Sequence, residues 1–111
     1  MVILLLLFLS LVGCRTAPSF HFGAYSEGEK LYKKGEYRKA ITKYEEYLQE
    51  NREGNMAAIS YYYMAKSYEN LGQVAEARRI YERVIRDYPH LIWTDFAKTR
   101  LQELPRANPP E

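Results

Sequence analysis

The sequence predicts an all-α protein folded as a short α-solenoid, with two helix–turn–helix units followed by one C-terminal capping helix. Apolar residues recur at the i, i+3, i+4 and i+7 spacing of one helix face. Similar residues recur at a fixed offset of 37 positions, and glycine or proline stands at the expected helix ends. We therefore expect a single helical domain over residues 22–104.

The offset of 37 pairs small residues with small residues and aromatic residues with aromatic ones. The corresponding positions are Gly35 with Gly72, Ala40 with Ala77, Tyr44 with Tyr81, Tyr25 with Tyr62, Gly28 with Ala65, and Phe22 with Ile59 and Phe96. A solenoid unit repeats its packing positions, so this agreement predicts stacked copies of one module.

Each unit is predicted to be a helix, a tight turn and a second helix. In YRKAITKYEEYL (residues 37–48) the apolar side chains fall on one helix face, and VAEARRIYERVIRDY (residues 74–88) repeats that arrangement. Gly35 and Gly72 precede these helices and suit the left-handed residue that commonly ends a helix.

Two prolines bound the C-terminal part of the domain. Pro89 ends the second unit, and Pro105 ends a final helix expected from about Ile92 to Leu104. No second helix is predicted after this one to complete a third unit, so we expect it to cap the stack. Residues 105–111 are expected to form a disordered tail.

The stretches GEYRKAITKY and GQVAEARRIY resemble the tetratricopeptide repeat (TPR), whose pattern includes A-x3-F and a closing proline. Both carry an alanine followed four residues later by tyrosine, and Pro89 stands at the closing position, where the first unit has Arg52. The first-helix motif departs most at Glu27. The long period and the run DYPHLIWTDFAKTRL are similar to those of TPR bacterial lipoproteins of the BamD and CpoB class.

This resemblance implies that small and aromatic residues pack the repeats together. The residues concerned are Gly28, Gly35, Ala40, Tyr44, Ala65, Gly72, Ala77, Tyr81 and Pro89. Gly28 and Ala65 would let the two helices of a unit approach closely. A larger side chain at such a position typically costs about 1–3 kcal/mol.

The N-terminus carries an apolar run, Val2 to Val12, interrupted only by Ser10. A transmembrane helix needs roughly 20 apolar residues, whereas the apolar part of an export signal needs about 7–15. The run therefore predicts an export signal. The alternative is a buried apolar helix that ends in an ordinary core cysteine.

The residues Leu11-Val12-Gly13-Cys14 resemble the bacterial lipobox, whose cysteine is acylated before the signal peptide is removed. The resemblance implies a signal peptide at residues 1–13, a lipid on Cys14 and a flexible tether at residues 14–21. Arg15, where aspartate would favour the inner membrane, implies an outer-membrane protein that faces the periplasm.

Composition and motifs argue against several function classes. The 16 Lys and Arg residues nearly balance the 14 Asp and Glu residues, so no strong field favours nucleic acid. His21 and His90 have no second ligand at metal spacing, and no phosphate-binding loop or nucleophile motif occurs. We expect no enzyme activity, no metal and no cofactor.

The TPR resemblance implies a binding surface on the concave side, made by the first helix of each unit. Its candidate residues are Phe22, Tyr25, Glu29, Tyr32, Ile59, Tyr62, Lys66, Glu69, Phe96 and Thr99. Rigid aromatic rings give contact area at low entropy cost, so we expect a protein or peptide partner in the cell envelope. Self-association is a further expectation that the sequence leaves open.

Three alternatives to this interpretation stay open. Tyr25 and Tyr62 could simply pack against each other within the superhelix. The groove could instead bind a small ligand or glycan, with residues 61–63 (Tyr-Tyr-Tyr) as stacking platforms. The protein could also be a cytosolic co-chaperone whose N-terminal run is not a signal. The favoured prediction is a lipid-anchored adaptor for outer-membrane protein assembly, cell division or secretion.

Overall fold

The computed structural model describes residues 22–106 of the chain. Five α-helices follow one another: α1 (Phe22–Lys33), α2 (Tyr37–Glu50), α3 (Gly54–Asn70), α4 (Val74–Asp87) and α5 (Ile92–Glu103). Residues 1–21 and 107–111 lie outside the described part of the chain, and so do the predicted signal peptide, lipidation site and tether. The predictions made for those segments stay predictions.

The helices form two antiparallel pairs, α1 with α2 and α3 with α4, and α5 packs on α4. Helix α3 is central, because it contacts each of the other four helices. In residues 22–106 no strand occurs. The predicted all-α solenoid, with two helical pairs and one capping helix, is confirmed.

Each pair is joined by a three-residue turn in which glycine has a positive φ angle. At Gly35 φ is +78°; the N–H of Glu36 donates to the carbonyl of Leu31 at 2.9 Å. Gly72, with φ +77°, repeats the geometry, and the N–H of Gln73 donates to the carbonyl of Tyr68. These bonds satisfy carbonyl groups that a helix end leaves open, which is why glycine is needed after each first helix.

Alanine and tyrosine form most of the core, which runs through the whole stack. Fully buried alanines lie on α2, α3, α4 and α5, and the largest fully buried side chains are Tyr44 and Tyr81. Gly28 faces Tyr44 so closely that a Cβ atom there would lie 3.0 Å from two ring carbons. The small residues thus let helices approach, and the tyrosine rings fill the space that remains.

Side-chain hydrogen bonds link the end of α4 to its neighbours. The hydroxyl of Thr94 on α5 donates to the carbonyl of Tyr88 at 2.6 Å. The hydroxyl of Tyr88 donates to the carbonyl of Arg52, in the connection between the two pairs. Arg52 is the residue that stands where the repeat pattern would have proline. Its carbonyl therefore joins the two units.

The outward faces of the terminal helices are polar. On α5 the residues equivalent by the offset of 37 to Ala58, Tyr61 and Ala65 are Asp95, Lys98 and Gln102, and all three are exposed. On α1, Glu27 is exposed and pairs with Lys43 of α2 at 3.1 Å. Polar outer faces are typical of capping elements in repeat proteins. The departure from the motif at Glu27 therefore lies at an exposed end of the stack.

The C-terminal end of the domain is fixed against α4. Helix α5 ends at Glu103, and Leu104 is buried. The guanidinium of Arg78 donates to the carbonyl of Pro105 at 2.7 Å. No helix in this part of the chain is both long enough and apolar enough to cross a bilayer.

Candidate protein-binding surface

The first helices of the repeats form a continuous layer. Helix α1 contacts α3, and α3 contacts α5, whereas the second helices α2 and α4 make no contact with each other. The stack therefore bends so that α1, α3 and α5 lie on its inner side. We call the exposed side of these three helices the inner surface.

A series of aromatic rings runs beneath and along the inner surface. Its members are Tyr25, Tyr44, Tyr63, Tyr62, Trp93 and Phe96. Neighbouring rings in this order have centroids 6.0, 6.4, 5.3, 5.4 and 5.5 Å apart. Such separations are typical of interacting aromatic pairs. We call these six residues the aromatic series, and it connects α1 to α5.

The predicted site residues of α1 have different surroundings. Tyr25 is half-buried and packs against Tyr44 and Tyr47 of α2. Glu29 pairs with Lys33 on the same helix at 3.0 Å. Phe22 is the first residue of α1, and its side chain lies outside what the structure describes.

Tyr32 joins the two repeats. Its ring lies 5.5 Å from that of Tyr37 and 5.0 Å from that of Tyr63 on α3, both in edge-on geometry. Burial raises the pKa of Tyr32 above its usual value. The hydroxyl is neutral at physiological pH, as it is in any tyrosine with an ordinary or raised pKa, so it can serve as a hydrogen-bond donor.

Tyr62 of α3 packs within the fold and offers little surface to a partner. Only 8% of it is exposed, and its ring contacts those of Tyr81, Trp93 and Phe96. Ile59 and Lys66 on the same helix are half-buried. Within the described ring contacts, Tyr25 and Tyr62 are not paired directly.

The side chains of residues 61–63 do not share one face of α3. Tyr61 turns away from the inner surface, toward Tyr88 and the guanidinium of Arg83. Tyr63 turns toward Tyr32 and Tyr44 on the opposite flank. Consecutive residues on a helix are about 100° apart, so three adjacent tyrosines reach different neighbours.

The exposed apolar part of the inner surface lies on α5. Phe96 is 43% exposed and Ile92 59%, and these are the large apolar side chains that the described residues leave exposed. They stand four residues apart, so they share one face of the helix. Thr99 is exposed on the same helix, and its hydroxyl donates to the carbonyl of Asp95.

Next to this exposed part of α5, a cluster of ion pairs and hydrogen bonds links α3, α4 and α5. Glu69 accepts a hydrogen bond from the hydroxyl of Tyr81 at 2.8 Å and bonds from Arg100 of α5. Arg100 also donates to Glu103 at 2.5 Å. The hydrogen bond to Glu69 raises the pKa of Arg100, and burial together with Glu69 raises the pKa of Tyr81. Both donors therefore stay protonated.

Three residues of this region were not predicted as site residues from the sequence: Tyr63, Trp93 and Arg100. Trp93 precedes Phe96 by three residues, so the helical spacing alone could have indicated it. The sequence indicates Tyr63 only as a stacking platform for a small ligand. Arg100 reaches Glu69 across 31 residues of chain, and no local pattern indicates such a contact.

The arrangement suits recognition by apolar and aromatic contact. Aromatic residues are enriched in the cores of protein interfaces, where they fill pockets on the partner. In residues 22–106 no group of three or more His, Cys, Asp and Glu is placed to hold a metal ion.

The fold and this surface define a short, TPR-like α-solenoid. Residues 60–90 match the family model of the tetratricopeptide repeat, a stretch that covers most of α3, all of α4 and Pro89. This match supports the TPR resemblance predicted from the sequence. TPR repeats generally bind protein or peptide partners. A search of curated proteins finds no match.

Proposed function

We propose that the protein is a lipid-anchored adaptor that holds a protein partner on its inner surface, within a complex of the bacterial cell envelope. The observation that carries this proposal is the aromatic series, which ends in an exposed apolar pair, Ile92 and Phe96, on a TPR-like fold. Repeats of this kind generally mediate protein–protein interactions and are typically not enzymes.

The exposed pair would provide the anchor point for the partner. Full burial of a phenylalanine side chain contributes about 1.5–3 kcal/mol, so burial of the 43% of Phe96 that is exposed would contribute roughly 1 kcal/mol to binding. The rings behind it, Tyr62 and Trp93, support Phe96 from the inside. Because these rings are already packed, little side-chain entropy is lost when a partner binds.

The anchor is proposed to be a lipid on Cys14. Each buried methylene group contributes about 0.8 kcal/mol, so two or three acyl chains would hold the protein stably on a membrane. Residues 14–21 could extend by about 28 Å at most, which would keep the helical domain close to that membrane. Arg15 favours the outer membrane, on its periplasmic side.

The resemblance to the BamD and CpoB class suggests three settings: outer-membrane protein assembly, cell division and secretion. Affinity capture of the tagged full-length protein from membranes would identify the partner. We expect Phe96→Ala to reduce capture while Lys98→Ala, on the outward face of the same helix, leaves it unchanged. Equal capture by both variants would refute the assignment of the partner to the inner surface.

The anchor is tested separately by palmitate labelling. In a lipoprotein, Cys14→Ser should abolish both the label and the membrane fraction. If label and location survive that change, the anchor proposal is wrong and a cytosolic role becomes the better explanation. Capture of no protein, together with Phe96-dependent binding of glycan fragments, would favour the small-ligand alternative.

A further inference from the structure

The outer side of the stack carries a second concave feature. Helices α2 and α4 do not touch each other, and α3 lies behind the gap between them. The gap is a groove of about 650 Å³ lined by all three helices. We call it the outer trough. It lies on the side of the stack opposite the inner surface.

The floor of the trough is apolar and aromatic, but most of it is already buried: Tyr61, Met64, Leu48 and Ile80 are each at most 8% exposed, and Tyr68 is half-buried. Helix α3 contributes Tyr61, Met64 and Tyr68, and the flanking helices contribute Leu48 and Ile80. The α3 residues are spaced i, i+3 and i+7, so the floor extends over two helical turns, about 10 Å. A floor of this length fits two turns of a second helix.

The α4 wall of the trough is a row of arginines: Arg79, Arg83 and Arg86. Their spacing of i, i+4 and i+7 places the three guanidinium groups along one helix face. Arg83 lies over the ring of Tyr61, 4.6 Å from its centroid, which fixes its orientation. The side chains of Arg79 and Arg86 are 68% and 70% exposed.

These arginines have carboxylate neighbours on their own helix. Arg79 pairs with Glu76 at 2.6 Å, and Asp87 is shared by Arg83 and Arg86 at 3.3 and 3.2 Å. Exposed pairs of this kind contribute little to stability. Each guanidinium has five N–H donors, so the row retains donors for carboxylates that approach from the trough.

We propose that the outer trough binds an amphipathic helix of a partner protein. Its apolar stripe would cover Tyr68 and the small exposed parts of Tyr61 and Met64, so most of the attraction would come from the arginine row. Acidic side chains at i, i+4 and i+7 on its flank would face Arg79, Arg83 and Arg86. This mode, a helix laid into a groove between helices, is a recurring form of peptide recognition.

The shape and charges of the trough favour such a helix over a membrane surface. The surface of a flat bilayer would not contact the floor of a concave trough. Arg52, Glu45 and Glu82 also line the trough, so its charge is mixed, with four arginines and two glutamates. A helix can match this mixed pattern, with acidic residues against the arginines and neutral or basic residues next to Glu82 and Glu45, whereas a uniformly anionic bilayer cannot, which gives specificity as well as attraction.

The experiment uses the full-length chain in neutral detergent and a fluorescent synthetic helix with leucine on one face and glutamate on the flank. Anisotropy measures binding. We expect saturable binding that weakens as NaCl rises from 50 to 200 mM. Arg79→Gln with Arg86→Gln should weaken it about tenfold or more. Both side chains are mostly exposed, so the melting temperature should change little.

The matched control removes two positive charges elsewhere, by Lys39→Gln with Lys98→Gln, and should leave binding unchanged. A peptide with lysine in place of glutamate should not bind. The proposal is overturned if the lysine peptide binds equally, if the arginine variants bind normally, or if no binding occurs. Arginine-dependent binding to phosphatidylglycerol vesicles without binding of the glutamate peptide would identify a membrane site instead.

This inference is independent of the partner proposed for the inner surface. Phe96→Ala should leave binding of the glutamate peptide unchanged, because Phe96 lies on the other side of the stack. Loss of one binding activity with retention of the other would therefore show which of the two proposals has failed.

Discussion

The hydroxyl of Tyr81 donates a 2.8 Å hydrogen bond to Glu69, and the same carboxylate binds Arg100. Three helices thereby meet at one carboxylate: α4 through Tyr81, α3 through Glu69 and α5 through Arg100. Helix α5 packs on α4 and has fewer contacts with α3. We infer that this cluster sets the orientation of the capping helix and of the Phe96 face that it carries.

Replacement of Arg100 should loosen that orientation. Arg100→Gln removes the charge-assisted bonds to a partly buried carboxylate, so we expect the free energy of unfolding to fall by about 1–3 kcal/mol. Urea denaturation of the purified protein measures it, with Lys98→Gln as the exposed control. In a double-mutant cycle with Glu69→Gln the two effects should not add. Additive effects would show that the two side chains are not coupled.

A side chain at position 28 should destabilise the fold. A Cβ atom there would lie 3.0 Å from the ring of Tyr44, which is itself fully buried. We expect Gly28→Ala to lower stability by about 1–3 kcal/mol, although alanine is the better helix former. Gly23→Ala is the matched control, since it lies on the same helix with nothing within 4 Å. Thermal melting that ranks Gly28→Ala at or above Gly23→Ala would contradict the close packing.

The buried tyrosines predict sensitivity to alkali. Burial raises the pKa of Tyr44 and of Tyr81 above the usual 10.0. These hydroxyls therefore contribute stability that is fully present below pH 10 and is lost as the pH rises, because the unfolded chain ionises first. Above pH 10, each such group lowers the free energy of unfolding by about 1.4 kcal/mol per pH unit.

Circular dichroism between pH 8 and 12 follows this transition. We expect cooperative loss of helix above pH 10, together with tyrosinate absorbance that appears in the same step. In Tyr44→Phe the pH dependence should be weaker, even though its stability at pH 7 changes little. Gradual tyrosinate formation in the folded protein, before any loss of helix, would show that the rings are accessible.

The local features of the fold were predictable from the sequence because each has a local cause. The helix face of residues 37–48, the glycine turns at Gly35 and Gly72 and the stop at Pro89 all follow from spacing or backbone preference over a few residues. The structure places Gly28 against Tyr44, in agreement with the packing role inferred for it. The exposed position of Glu27 was predictable because a terminal helix has no neighbour on one side.

The contacts of the binding surface were less predictable, because they depend on how helices stack. Tyr62 was expected to be a contact residue, but the rings of α5 cover it. The bond between Arg100 and Glu69 joins residues that are far apart in the chain. The outer trough exists because α2 and α4 do not contact each other, and their separation depends on how all the helices stack.

The most direct test of the central claim is photo-crosslinking from two positions on α5. A benzoylphenylalanine at position 96 replaces one exposed ring with another on the inner surface, whereas the same probe at position 98 lies on the outward face. We predict that irradiation of cells yields a protein adduct from position 96 and none from position 98. An adduct from position 98 alone, or from neither position, would contradict the claim that the inner surface holds the partner.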